Sequence, residues 1–159
     1  MRSCQRRSAH YLAGRAAGLR TGAASGRDRP GSPDTSTSAE VAEEVGLVVT
    51  SLDLVLTAWR PNRCRRPTTG HVGHHWRIYE AQASGPIRPS APEVRAARWV
   101  HPDELQQFAR RTAAYAEGQV SEEEFAAQPG MEPVWVRFLQ ELQLVALPDD
   151  TLRLIDKVI

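Results

Sequence analysis

Ala39-Glu40-Val41-Ala42-Glu43-Glu44-Val45-Gly46-Leu47 has the pattern of a short acidic helix that stops at a glycine and runs straight into a strand. On a helix, Glu40, Glu43 and Glu44 stand at i, i+3 and i+4 and crowd one face, while Val41 and Val45 share another. No lysine or arginine lies among them. Like charges at these spacings are destabilising, and Glu43 and Glu44 fall in the last turn, where the macrodipole favours cations. A divalent cation would remove both penalties. A ligand set made only of carboxylate oxygens suits a hard ion such as Mg²⁺ or Mn²⁺ rather than zinc.

From Glu40 to Leu47 the chain resembles the Nudix hydrolases. Their signature is Gly, five residues, Glu, seven residues, then Arg-Glu-hydrophobic-x-Glu-Glu-x-Gly-hydrophobic. Its second half is met by Glu40, Val41, Glu43, Glu44, Gly46 and Leu47, with Ala42 and Val45 in the free slots. Its first half is not met: Ala39 stands in the arginine slot, Gly31 in the first glutamate slot and Ser25 in the glycine slot.

The resemblance implies an α/β fold, a Nudix-like mixed sheet flanked by helices with the acidic helix lying across it, incomplete at the N-terminal side. It also implies Mg²⁺-dependent hydrolysis of the pyrophosphate bond in a nucleoside diphosphate linked to another group. By the motif, Glu43 and Glu44 are the main metal ligands and Glu40 a ligand or base. The run from Glu93 through Trp99 to Leu105 is similar to the segment that closes the Nudix sheet and opens its last core helix. An acidic residue before that strand often serves the family as ligand or base, which makes Glu93 the second catalytic candidate; its other reading is a solvated loop carboxylate. Two alternatives stand beside the enzyme: a catalytically inactive Nudix-like module that binds a nucleotide or a protein, and a small α/β interaction protein whose acidic helix holds no metal.

At 159 residues the chain has room for one domain with a working core. It contains no apolar run long enough for a membrane span. Cys4 and Cys64 suggest neither a disulfide framework nor a metal knuckle, so a reducing, cytoplasmic setting is expected. The net charge of +1 conceals two compositions: residues 1–37 hold seven arginines against Asp28 and Asp34, a surplus of +5, which leaves −4 for residues 38–159. Residues 1–37 have little to bury, and a basic leader, disordered or weakly helical around 8–19, is expected there. Its readings are a targeting peptide, a nucleic-acid-binding arm, a flexible tail, or a non-native leader from a misplaced start or shifted frame. The Nudix-like domain is then 38–159.

Leu47-Val48-Val49 and Leu52 to Trp59 have strand character, with Leu52, Leu54, Leu56 and Ala58 on one face. The loop Arg60 to Gly70 carries four arginines and is either a phosphate contact or a solvated hairpin tip. Next comes the strand His74 to Ala81; His71, His74 and His75 lack zinc-site spacing and are discounted as ligands. Helices are expected from Pro102, from the Ser121/Glu124 capping box, from Pro133 and near the C-terminus. Their apolar stripes mean core packing or a homodimer face. The four tryptophans are given core roles, with base stacking as a second reading for Trp59. The partner expected is a small nucleotide-type molecule, with neither membrane nor nucleic acid.

Overall fold

A computed structural model describes residues 10–13, 19–21, 33–61, 73–90, 94 and 96–158. These form β1 (His10–Ala13), β2 (Leu19–Thr21), α1 (Pro33–Val45), β3 (Val48–Pro61), β4 (Gly73–Ser84), β5 (Ala97–Val100), α2 (Pro102–Ala116), α3 (Glu122–Ala127), α4 (Pro133–Glu141) and α5 (Asp149–Ile155). The chain gathers into two compact units, residues 1–60 with 74–100 and residues 61–73 with 101–159.

The first unit is mixed α/β. β1 lies parallel to β5, with His10 opposite Ala97 and Ala13 opposite Val100. A three-stranded sheet runs in the order β2-β4-β3, β2 antiparallel to β4 with Leu19 opposite Ala81. The Thr50 hydroxyl near the start of β3 donates to the Gln82 carbonyl near the end of β4.

Strand pairs at 10–13 and 19–21 replace the weak helicity expected around residues 8–19, and they supply β structure on the side where the sheet was expected to be incomplete. Composition misses this because a short strand can be held by backbone bonds to a neighbouring strand, whatever its side chains. Helix α1 also starts at Pro33, ahead of the expected boundary at 38. The rest of the expected 1–37 leader lies outside the described residues, as do Cys4, Cys64, His71 and the arginine loop beyond Pro61.

α1 buries Thr37, Val41 and Val45, a stripe at i, i+4 and i+8. Val41, Val45, Leu47, Ala81 and Val94 form one apolar cluster, extended by Val49, Leu52, Ala83, Ile87 and Ala97. Full burial of a side chain such as Leu47 contributes about 1.5–3 kcal/mol. On β4 the buried phase changes midway: Trp76 and Ile78 are buried on one parity, Tyr79 and Ala81 on the other. β3 shows the same reset. Leu52, Leu56 and Ala58 are half-buried as the alternation predicts, but Leu54, expected on the same face, is exposed. Trp76 has the expected core position, whereas Trp59 and Trp99 are exposed.

The second unit is helical. α2 begins at Pro102, with Asp103 and Glu104 in its first turn and the His101 side chain accepting from the Asp103 amide. Leu105, Ala109, Thr112 and Ala113 are its buried face, and α2 contacts α3, α4 and α5. The Gln106 side-chain amide ties down the backbone of Ala146, donating at 3.0 Å and accepting at 2.8 Å. The capping box read from Ser121 and Glu124 is present. Among the described residues, no helix is long and apolar enough to cross a membrane.

Candidate metal centre

Packing of the Thr37, Val41 and Val45 stripe onto the core turns the opposite side of α1 outward. Glu40 and Glu43 are exposed and Glu44 is half-buried, as their spacing requires. The last turn of the helix contains no basic residue. α3 makes a useful contrast: its Glu122, Glu123 and Glu124 occupy a first turn, where the dipole welcomes anions, and the Ser121 amide and hydroxyl hold the Glu124 pKa below the ordinary value. In α1 the glutamates approach the unfavourable end.

Electrostatics register the crowding at Glu40. Its carboxyl is pushed above the usual 4.5, first by partial burial and then by the charges of Glu44 and Glu43. Glu44 and Glu43 are therefore near enough to Glu40 for their charges to act on it. They do not close into a cage: among the described residues, no group of three or more His, Cys, Asp or Glu side chains is gathered closely enough to hold a metal ion. Mg²⁺ usually keeps several waters and takes only one or two protein carboxylates beside substrate phosphates. An open oxygen-only face on a helix has the donor chemistry for that mode, with Glu43 and Glu44 on the last turn and Glu40 one turn earlier.

The end of the helix is built by a contact that the sequence does not advertise. Gly46 takes φ +75° and its amide donates to the Ala42 carbonyl at 3.1 Å. The Val45 carbonyl accepts from the Arg88 amide at 2.8 Å, and the Glu44 carbonyl from the Ser90 amide at 2.7 Å. Residues 85–90 are thus joined to the turn that carries Glu43 and Glu44. Proline and glycine in this stretch signal a loop, but nothing in it signals where the loop docks.

Glu93, the other sequence candidate, lies outside the described residues. His75 is exposed on β4. Comparison of the chain with protein-family models, with characterised proteins and with solved structures gives no match.

Proposed function

We propose that the chain is a Mg²⁺-dependent pyrophosphohydrolase of the Nudix type, acting on a nucleoside diphosphate linked to another group. The observation that carries this reading is the acidic face of α1, where Glu43 and Glu44 stand close enough to help raise the Glu40 pKa and lie in a last turn that holds no basic residue. A mixed α/β unit with that helix packed on its core is compatible with a Nudix-like sheet flanked by helices.

Glu43 and Glu44 would hold Mg²⁺, with Mn²⁺ as the substitute ion. When bound, such an ion neutralises diphosphate oxygens and lowers the pKa of a water. Hydrolysis forms a bond from the water oxygen to one phosphorus and breaks the bond from that phosphorus to the bridging oxygen, which leaves with the other phosphate. Glu40 is suited to take the water proton, since a carboxylate with a raised pKa is a better base. Glu93 is the other candidate for that role, from the motif alone. The reading carries with it a cytoplasmic setting and a small-molecule nucleotide partner.

A second reading rests on Ala39 and Gly31, which occupy the slots of the motif's arginine and first glutamate: a catalytically inactive Nudix-like module that binds a nucleotide or a protein. Release of nucleoside monophosphate from a panel of nucleoside diphosphate derivatives with MgCl₂ distinguishes the two. Turnover that disappears in Glu43→Gln and Glu44→Gln supports the hydrolase. Substrate binding without turnover supports the inactive module.

A further inference from the structure

We infer that β3 pairs edge to edge with the β3 of a second copy of the chain, antiparallel about a two-fold axis at Thr57, in an association that needs neither metal nor substrate.

Apolar exposure is concentrated on this strand. Among the described residues the exposed large apolar side chains are Val48, Leu54, Val55 and Trp59 on β3, and Trp99 on β5. In the order β2-β4-β3 the strand has a sheet neighbour on one side only among the described residues, so every second residue directs its N–H and C=O away from the sheet. Open edges are ordinarily guarded by proline, lysine or a bulge. From Val48 to Arg60 there is no proline, glycine or lysine, and Asp53 and Arg60 are the only charges.

The occupant follows from self-complementarity. Across an antiparallel two-fold, opposite residues share a face, so the axis passes through a residue rather than between two. From Asp53 onward one face carries Asp53, Val55, Thr57 and Trp59, all exposed. An axis at Thr57 is the one that sets Val55 against the partner's Trp59, and it does so twice while setting Thr57 against the partner's Thr57. Aromatic with β-branched and threonine with threonine are cross-strand pairs that stabilise antiparallel sheets. On the other face the exposed Leu54 meets the partner's Arg60, whose aliphatic stem can lie over it.

Charge selects the same arrangement. About Thr57 the acidic start of each segment lies beside the basic end of the other, with Asp53 one residue past the partner's Arg60. The two Asp53 carboxylates are then eight residues out of register, about 27 Å along the strand at roughly 3.4 Å per residue. A parallel in-register pair would set Asp53 against Asp53 and Arg60 against Arg60, which is destabilising. An axis at Leu54 would bring the two Asp53 within two residues of register and set each against the partner's Val55. Two-fold pairing also closes on itself, because the outer side of each β3 is filled.

The test uses the full chain. Sedimentation velocity over a range of concentrations should show a reversible monomer–dimer equilibrium. Thr57→Lys sets two ammonium groups against each other at the axis and should weaken the dimer about tenfold or more, while Thr57→Ser should keep the wild-type equilibrium. Register is read from disulfides in a Cys4→Ser/Cys64→Ser background. Opposite residues of an antiparallel pair have Cα atoms about 4.5–5.5 Å apart, inside disulfide range. Thr57→Cys should therefore cross-link the dimer under mild oxidation, and Val48→Cys and Leu54→Cys should not. Cross-linking through Leu54→Cys as fast as through Thr57→Cys would move the axis, and through Val48→Cys would make the strands parallel; either overturns the proposal. A dimer that a folded Thr57→Lys leaves intact overturns it by placing the contact off this strand. If Thr57→Lys does not fold, the cross-linking pattern decides. A wild-type chain that is monomeric at every concentration overturns the dimer outright and leaves the edge to a strand from a different protein.

Discussion

Glu40 and Glu44 stand one turn apart on the outward side of α1, and after the partial burial of its own carboxyl the Glu44 charge is the largest influence raising the Glu40 pKa above 4.5. The shift has a defined sign. A carboxyl whose folded pKa lies above its unfolded value contributes stability that is fully present below pH 4.5 and is lost as pH rises through the folded value. At neutral pH the ionised Glu40 is therefore a destabilising group in the metal-free protein. Glu40→Gln should raise metal-free stability at pH 7 by about 0.2–0.5 kcal/mol for each repulsive pair removed. That gain should vanish below pH 4.5, as read from urea midpoints at the two pH values. Saturating MgCl₂ should reverse the order at pH 7, because the wild type gains more from the ion.

Glu43→Gln and Glu44→Gln keep the side-chain length and remove the charge that would hold the ion. Loss of several kcal/mol of charge stabilisation corresponds to a fall in turnover of about a hundredfold or more. Far-ultraviolet circular dichroism should be unchanged, since Glu43 is exposed and Glu44 only half-buried. Unaltered turnover in both variants would sink the assignment of these residues as ligands.

Much of α1 could be foreseen, because Val41/Val45 and Glu40/Glu43/Glu44 separate cleanly at helical spacing and Gly46 marks the stop. Pro102, Ser121 with Glu124, and Pro133 likewise announce helix starts through local chemistry, and α2, α3 and α4 begin there. What escaped is non-local. The docking of Arg88 and Ser90 on α1 uses backbone amides, which every sequence has, so no residue type betrays it. β1 and β2 are too short to show a period in an arginine-rich context. The reset of alternation in β3 and β4 depends on which face is covered at each end, and this assigned Leu54 to the wrong environment. Trp59 and Trp99 show the same limit: hydrophobicity alone does not say whether a side chain finds a cover.

Thr112 should be a stability determinant of the helical unit. Its buried hydroxyl accepts from the Met131 amide at 2.8 Å and lies 2.6 Å from the Met131 carbonyl, to which it donates. Thr112→Val preserves the shape and removes both bonds, leaving the Met131 amide only a longer contact with the Phe108 carbonyl at 3.4 Å. A loss of about 1–3 kcal/mol follows from the buried polar groups left poorly paired. Gly130→Ala should also destabilise, because its Cβ would come within 2.6 Å of the Thr112 hydroxyl and 2.8 Å of the Phe108 carbonyl. Chemical denaturation of both variants checks this, and a Thr112→Val protein as stable as the wild type would show that the hydroxyl contributes nothing.

Solubility should be governed by β3. In the order β2-β4-β3 it lies at the edge of its sheet among the described residues, and it exposes Leu54, Val55 and Trp59. An edge strand with exposed apolar side chains is open to pairing with another chain, and a lysine there opposes such pairing by charge. Val55→Lys and Trp59→Lys should each reduce concentration-dependent light scattering. Because both side chains are already substantially exposed, stability should change by only about 0.5 kcal/mol or less. Scattering that persists in both variants would place the self-associating surface elsewhere. A large loss of stability would instead show that these side chains are covered in solution.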